Sequence, residues 1–156
     1  MEIERKYKVI KEQWLKTDKF DGERIIQGYL TTDADKTIRV RIRGSQGFMT
    51  VKGKTMNISR EEIEFPVPVD KAKELIEKFA DGIIEKTRYT VQYRGKMWEI
   101  DEFAGDNEGL LLAEIELINE VEVVELPEWI GKEVSDDSRY YNSNLSIYPY
   151  KEWKVD

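Results

Sequence analysis

The chain has 156 residues, 40% hydrophobic and 11% aromatic, and no Pro-, Gly- or Ser-rich linker, so a single domain with its own core is expected. With no cysteine and no histidine it has no disulfides, no His- or Cys-built zinc site and no Ser-His or Cys-His nucleophile; carboxylate oxygens remain, and they suit Mg²⁺ or Mn²⁺. A net charge of -7 argues against general nucleic-acid or anionic-membrane binding, and neither a membrane-spanning run nor a leader segment is readable, so a cytoplasmic protein is expected.

Side chains of an extended strand alternate between two faces. In Glu2-Ile3-Glu4-Arg5-Lys6 this puts Glu2, Glu4 and Lys6 on one surface, with Ile3, Tyr7 and Val9 on the other. Lys11 to Leu15 reads as a helical turn. Ile25 to Leu30 is a strand, and Thr32 to Lys36 turns it into a hairpin with Thr37 to Arg43. There Arg39, Arg41 and Arg43 lie opposite Ile38, Val40 and Ile42. After a turn at Gly44 to Gly47, Phe48 to Lys54 returns with Thr50 and Lys52 on one face. The next strand sets Arg60, Glu62 and Glu64 against Ile63 and Phe65, and ends at Pro66 and Pro68.

A helix follows, with Asp70 as N-cap, an apolar stripe of Ala72, Leu75, Ile76, Phe79 and Ala80, and a stop at Gly82. Strands then resume. Ile83 to Tyr93 places Lys86 and Arg88 opposite Thr87, Tyr89 and Val91, and Met97 to Phe103 places Glu99 and Asp101 opposite Trp98 and Ile100. Leu110 to Leu117 places Glu114 and Glu116 opposite Ala113, Ile115 and Leu117. Val121 to Leu126 reads as a further short strand, and the segment from Pro127 as an aromatic tail in which Ser135 or Asp136 caps a short helix.

The wet face of a half-buried sheet usually mixes Ser, Thr and Asn with long side chains. Here the polar faces are nearly all ionic, with arginines on some strands and glutamates on others. Closing such a sheet gathers both signs into one cavity, and its apolar outside must be covered by helices or a partner.

Glu2-x-Glu4-x-Lys6 resembles the ExExK signature of the CYTH domain, the triphosphate tunnel metalloenzymes. Arg39-x-Arg41, Thr50-Val51-Lys52-Gly53, Arg60-x-Glu62-x-Glu64, Lys86-x-Arg88-Tyr89, Trp98-Glu99-Ile100-Asp101, Ala113 to Leu117 and Gly131 to Val134 extend the resemblance in order over nearly the whole chain. It implies a mainly antiparallel β fold, a closed barrel tunnel of about eight strands with helices packed outside. The implied activity is metal-dependent hydrolysis of inorganic triphosphate, a small anionic substrate, with Mg²⁺ or Mn²⁺ in one or two copies.

A triphosphate needs cations spread along a groove, and Lys6, Arg39, Arg41, Lys52, Arg60, Lys86 and Arg88 fit that need. Pairing with the cavity's own glutamates is their structural alternative. By resemblance, Glu2, Glu4, Asp101, Glu114 and Glu116 would hold metal, while Glu62 and Glu64 would orient water or the basic residues. Water is the expected nucleophile. Lys52 or Lys86 would stabilise or protonate the leaving phosphate, and Tyr29 is a candidate proton acceptor, with sheet packing as its alternative. The cyclase branch carries a histidine motif, which this chain lacks, and the thiamine-triphosphatase branch a tryptophan where Thr37 stands. A nucleoside triphosphatase and a noncatalytic polyphosphate-binding module remain open.

Overall fold

A computed structural model describes residues 1–153. The strands are β1 (Glu2–Val9), β2 (Glu23–Asp33), β3 (Lys36–Arg43), β4 (Gln46–Gly53), β5 (Ser59–Arg60), β6 (Glu62–Val67), β7 (Gly82–Tyr93), β8 (Lys96–Phe103), β9 (Leu111–Glu116) and β10 (Ile130–Glu133). The α-helices are α1 (Lys11–Leu15), α2 (Val69–Phe79) and α3 (Asn142–Leu145). None of them is long and apolar enough to cross a membrane.

Antiparallel pairing runs β1-β9-β8-β7-β2-β3-β4-β6. β5 lies one residue before β6 and pairs back onto β1 through Glu2↔Arg60 and Ile3↔Ser59, which returns the ladder to its start. Counting β5 and β6 as one bent strand, the circuit has the eight members expected of the barrel. The rest of that edge of β1 is taken by β10, at Tyr7 and Val9.

Alternation sorts the side chains into an ionic inside and an apolar outside. Under α2, the outward Val40 meets Ala72 and Ile76, with Leu30, Ile42 and Met49 around them. On the opposite wall, Tyr7, Trp98, Ile100 and Ile115 are covered by Trp14 of α1 and Trp129 of the tail. The Trp129 ring meets Trp14 and Trp98 edge-on, with centroids 5.2 and 5.8 Å apart. A third cluster is internal: Ile84, Phe103 and Leu112 are cross-strand partners of Gln27, Lys86 and Asp101, so they share the charged face. With Tyr29 they fill one end of the barrel, where Val134, Tyr140 and Leu145 of the tail close over them.

Four local expectations change. Val121 to Leu126 forms no strand, because both edges of β9 are taken by β1 and β8; Val121 and Val123 stay exposed, and the added strand is β10. The N-cap of α2 is Pro68, whose side chain offers no acceptor, and Asp70 lies in the first turn. Gly82 does not stop the helix, which ends at Phe79, but opens β7 where the tail comes close; a Cβ there would meet the Ser146 carbonyl oxygen at 2.5 Å. In the tail, Asp137 rather than Ser135 or Asp136 serves as cap, accepting from the Arg139 backbone N–H.

Gly28 is the point where β2 admits α2, since a Cβ there would lie 2.8 Å from the Ala80 Cβ and 3.2 Å from Ile76. Gly28→Val should therefore lift α2 and cost about 1–3 kcal/mol by overpacking. Urea denaturation checks this, and a midpoint equal to wild type would mean that the helix seat is loose.

Candidate active site

The inward faces of seven strands and β5 converge on one cavity. Its lining includes Glu2, Glu4 and Lys6 from β1, Tyr29 from β2, Arg39 and Arg41 from β3, Lys52 from β4 and Arg60 from β5. Lys86 and Arg88 from β7 and Glu114 and Glu116 from β9 complete the expected residues that line it. Asp101 sits just behind this surface, 2% exposed. Glu62 is the cross-strand partner of Lys52, and Glu64, near the rim, approaches Arg39 at 3.4 Å. Arg43 shares the arginine face but lies beyond the cavity, paired with Glu23 at 3.1 Å.

Many of these charges compensate one another. Asp101 accepts from Lys86 Nζ at 2.7 Å, and from Arg88 Nε and Nη2 at 2.8 and 2.9 Å. Burial alone would raise its carboxyl, but Arg88 and Lys86 win and hold it far below the usual carboxylate range. The ammonium of Lys86 moves down, because burial and the neighbouring Arg88 and Arg41 outweigh Asp101. Lys6 lies 3.3 Å from Glu114, and Lys52 lies 3.0 Å from Glu2. Against its burial, Lys6 and Arg88 draw Glu114 down to about 2.

Other charges have no opposite partner. Arg41 Nε donates only to the Gln27 amide oxygen, at 2.9 Å, and Arg60 donates to the Gly53 carbonyl at 3.1 and 2.9 Å. Among the described residues neither makes an ion pair. Burial, then Arg39 and Arg88, push Arg41 down to about 9 against the weaker opposing pull of Tyr29 and Asp101, so it is still charged at neutral pH but favours an added anion. The Nε of Arg39 is buried with no acceptor among the described residues. On the acidic side, Glu4 makes no ion pair among the described residues. Burial, Glu114 and Glu2 raise it to about 8, and Glu116 is its cross-strand neighbour. Glu62 is lifted to about 7 by burial and the Glu2 carboxyl. Among the described residues, no three carboxylates converge closely enough to hold an ion in this conformation.

Tyr29 belongs to the internal apolar cluster, and its hydroxyl accepts from Gln27 Nε2 at 2.9 Å. Several site residues go beyond those singled out from the sequence. Gln27, Thr37, Thr50 and Glu99 are inward by the same alternation that identified their neighbours, so that signal was available. Ser135, Tyr141 and Asn142 also line the cavity, but they come from an aperiodic tail in which nothing local marks them.

The structure defines a class: a β-barrel with its packed aliphatic and aromatic shell outside and a two-signed ionic cavity inside. The CYTH domain matches residues 1–146, and the chain belongs to the CYTH family. It is similar to the inorganic triphosphatase of Acetivibrio thermocellus, 47% identical over 154 residues, covering 98% of this chain and 97% of that protein. It is also similar to the inorganic triphosphatase of Nitrosomonas europaea, 37% identical over 125 residues, covering 78% of this chain and 82% of that protein. The crystal structure of the inorganic triphosphatase NE1496 superposes with a TM-score of 0.66 at 33% identity, covering 94% of this chain and 95% of that one.

Removing one member of a buried charge cluster leaves the others uncompensated. Asp101→Asn should cost about 3–5 kcal/mol because Lys86 and Arg88 lose their shared counter-charge. Glu116→Gln, at an exposed position with no ion pair among the described residues, should stay within about 0.5 kcal/mol. Chemical denaturation of both variants reads the difference, and equal stabilities would show that Asp101 does not hold the cluster together.

Proposed function

We propose that the protein hydrolyses inorganic triphosphate to diphosphate and phosphate inside this barrel, with a divalent cation. The carrying observation is that Arg41 and Arg60, on opposite sides of Arg39 in the cavity wall, are held by neutral oxygens alone among the described residues. A guanidinium fork satisfied on one edge presents its other edge to phosphate oxygens. The triphosphatase relatives support the same substrate.

The acidic wall suits a hard cation. Its donors are carboxylate oxygens, and Glu4, crowded by Glu114 and Glu2 and in no ion pair among the described residues, favours the addition of positive charge. We assign Glu2, Glu4, Glu114 and Glu116 to Mg²⁺ or Mn²⁺. Asp101, first expected among these ligands, has both oxygens committed to Lys86 and Arg88, so we assign it to holding those two cations. A bound divalent ion would supply charge neutralisation between the carboxylates and the phosphate oxygens.

Ligand binding then exchanges partners. Lys52 exchanges Glu2 and Lys6 exchanges Glu114 for phosphate oxygens, so the ion pairs hold these side chains in place until substrate replaces them. Arg39, Arg41, Arg60 and Arg88 line the chain of phosphates. Lys86, buried and shifted toward easier proton loss, stabilises or protonates the leaving phosphate. Water attacks, with Tyr29 or a carboxylate of the Glu62–Glu64 strand accepting its proton.

Phosphate release from inorganic triphosphate, ATP, thiamine triphosphate, diphosphate and long polyphosphate, with Mg²⁺, Mn²⁺ or excess chelator, tests this reading. Inorganic triphosphate should have the highest kcat/KM, and chelator should abolish turnover. A ratio favouring ATP by about tenfold, or about 1.4 kcal/mol, would overturn the substrate assignment. Binding without cleavage of any substrate would instead indicate a polyphosphate-binding module. Arg41→Ala should raise KM for triphosphate by about tenfold or more, as expected for a lost charged hydrogen bond of about 1.5–3 kcal/mol. Val40→Ala, on the outer face, should lower stability by about 1–3 kcal/mol with KM unchanged.

A further inference from the structure

The floor of the cavity comes from the C-terminal tail rather than from a barrel strand, and one atom of it touches two separate cation networks. Asn142 Oδ1 accepts from Lys86 Nζ at 2.9 Å and from Gln27 Nε2 at 3.3 Å. Asn142 opens α3, and Leu145, at the other end of that helix, is fully buried against Ile84, Phe103 and Leu112. The polar atom is therefore delivered by a segment anchored in packed apolar surface.

An ammonium has three N–H bonds in fixed tetrahedral directions. In Lys86 one is taken by Asp101 Oδ2 and one by Asn142 Oδ1, so the third has a defined direction and no protein acceptor among the described residues. With Asp101 alone as partner, the ammonium could swivel about that single bond. The Gln27 amide is set in the same way. Its nitrogen faces two oxygens, Tyr29 Oη and Asn142 Oδ1, and this leaves its own oxygen to accept from Arg41 Nε. A flipped amide would turn N–H groups against the guanidinium. Neutrality matters too: a carboxylate at this position would add a second negative charge to Lys86, opposite Asp101, and would repel an anionic ligand.

We infer that Asn142 is a positioning residue, a single neutral carbonyl oxygen that aims Lys86 directly, and Arg41 through Gln27, at the same bound phosphate chain. This inference rests on the triphosphatase reading. It adds that the tail sets the geometry of the reacting end, so that losing the Asn142 oxygen harms turnover more than binding.

The test compares wild type with Asn142→Leu, which is near in size but has no acceptor, and Asn142→Asp, which keeps an acceptor oxygen and adds charge. Thermal melts confirm that each variant folds. With inorganic triphosphate, Asn142→Leu should lose about tenfold or more in kcat, since misplacement of about 1 Å can cost up to about a hundredfold, while KM stays within about threefold. Asn142→Asp should recover part of that kcat and raise KM, a split that simple loosening of the tail would not produce. Gln27→Leu combined with Asn142→Leu should cost less than the sum of the two single losses, because the residues act through one network. Wild-type kcat in Asn142→Leu, or equal kcat losses in the Leu and Asp variants, would overturn the proposal. If wild type fails to cleave inorganic triphosphate, the functional reading fails separately. The positioning claim is then read from crystal structures of wild type and Asn142→Leu: displaced Lys86 Nζ and Gln27 amide support it, and unchanged positions overturn it.

Discussion

Three charges meet behind the cavity wall, where Asp101 takes hydrogen bonds from Lys86 and Arg88 at 2.7 to 2.9 Å. Burying one ion costs several kcal/mol, and that cost is tolerable only where partners and hydrogen bonds replace water. Arg88 extends the cluster to Glu99 at 3.1 Å, Lys86 extends it to Asn142, and Gln27 carries it on to Arg41. The barrel can therefore have charge where other small barrels have a packed core. A carboxylate fixed by two cations from the neighbouring strand also locks the register of β7 against β8, since a one-residue slip would turn Asp101 out of the cavity.

Stability and function are divided between the two faces of the same strands. Outside, the tryptophan and isoleucine cluster under α1 and the tail, together with the seat of α2, removes apolar area from water. Inside, opposite charges are left incompletely matched: among the described residues Arg41 and Arg60 make no ion pair with an acid, and Glu4 and Glu116 none with a base. An ionic interior that satisfied itself completely would have no reason to bind anything. This residual imbalance, cationic on β3 and β5 and crowded with carboxyl groups on β1 and β9, supports the proposed combination of a polyanion with a divalent cation.

The tail contributes to both faces. Trp129 and Ile130 pack on the outer wall, and a few residues later Tyr140 and Leu145 seal the inner end. The Tyr140 carbonyl accepts from Lys6 Nζ at 3.1 Å, and Ser135 Oγ accepts from the Lys6 backbone N–H at 2.9 Å. The first strand and the C-terminal tail are thus joined at the floor of the site.

Which residues face inward is legible from the chain alone, because the two-residue period of a strand is local and needs no knowledge of neighbours. Glu2, Glu4 and Lys6, Arg39 and Arg41, Lys86 and Arg88, and Glu114 and Glu116 all lie where alternation puts them. Eight strands and a closed circuit came from likeness to a family, and periodicity alone could not have supplied them. Which charges pair and where the tail goes follow from how the strands and the tail come together in space. Asp101 meets Lys86 and Arg88 only because β7 and β8 share one register, and β1 closes the barrel through two residues of β5. Gln27 meets Asn142 across 115 positions of chain, a contact with no local period behind it, since it is set by where Leu145 finds its apolar seat.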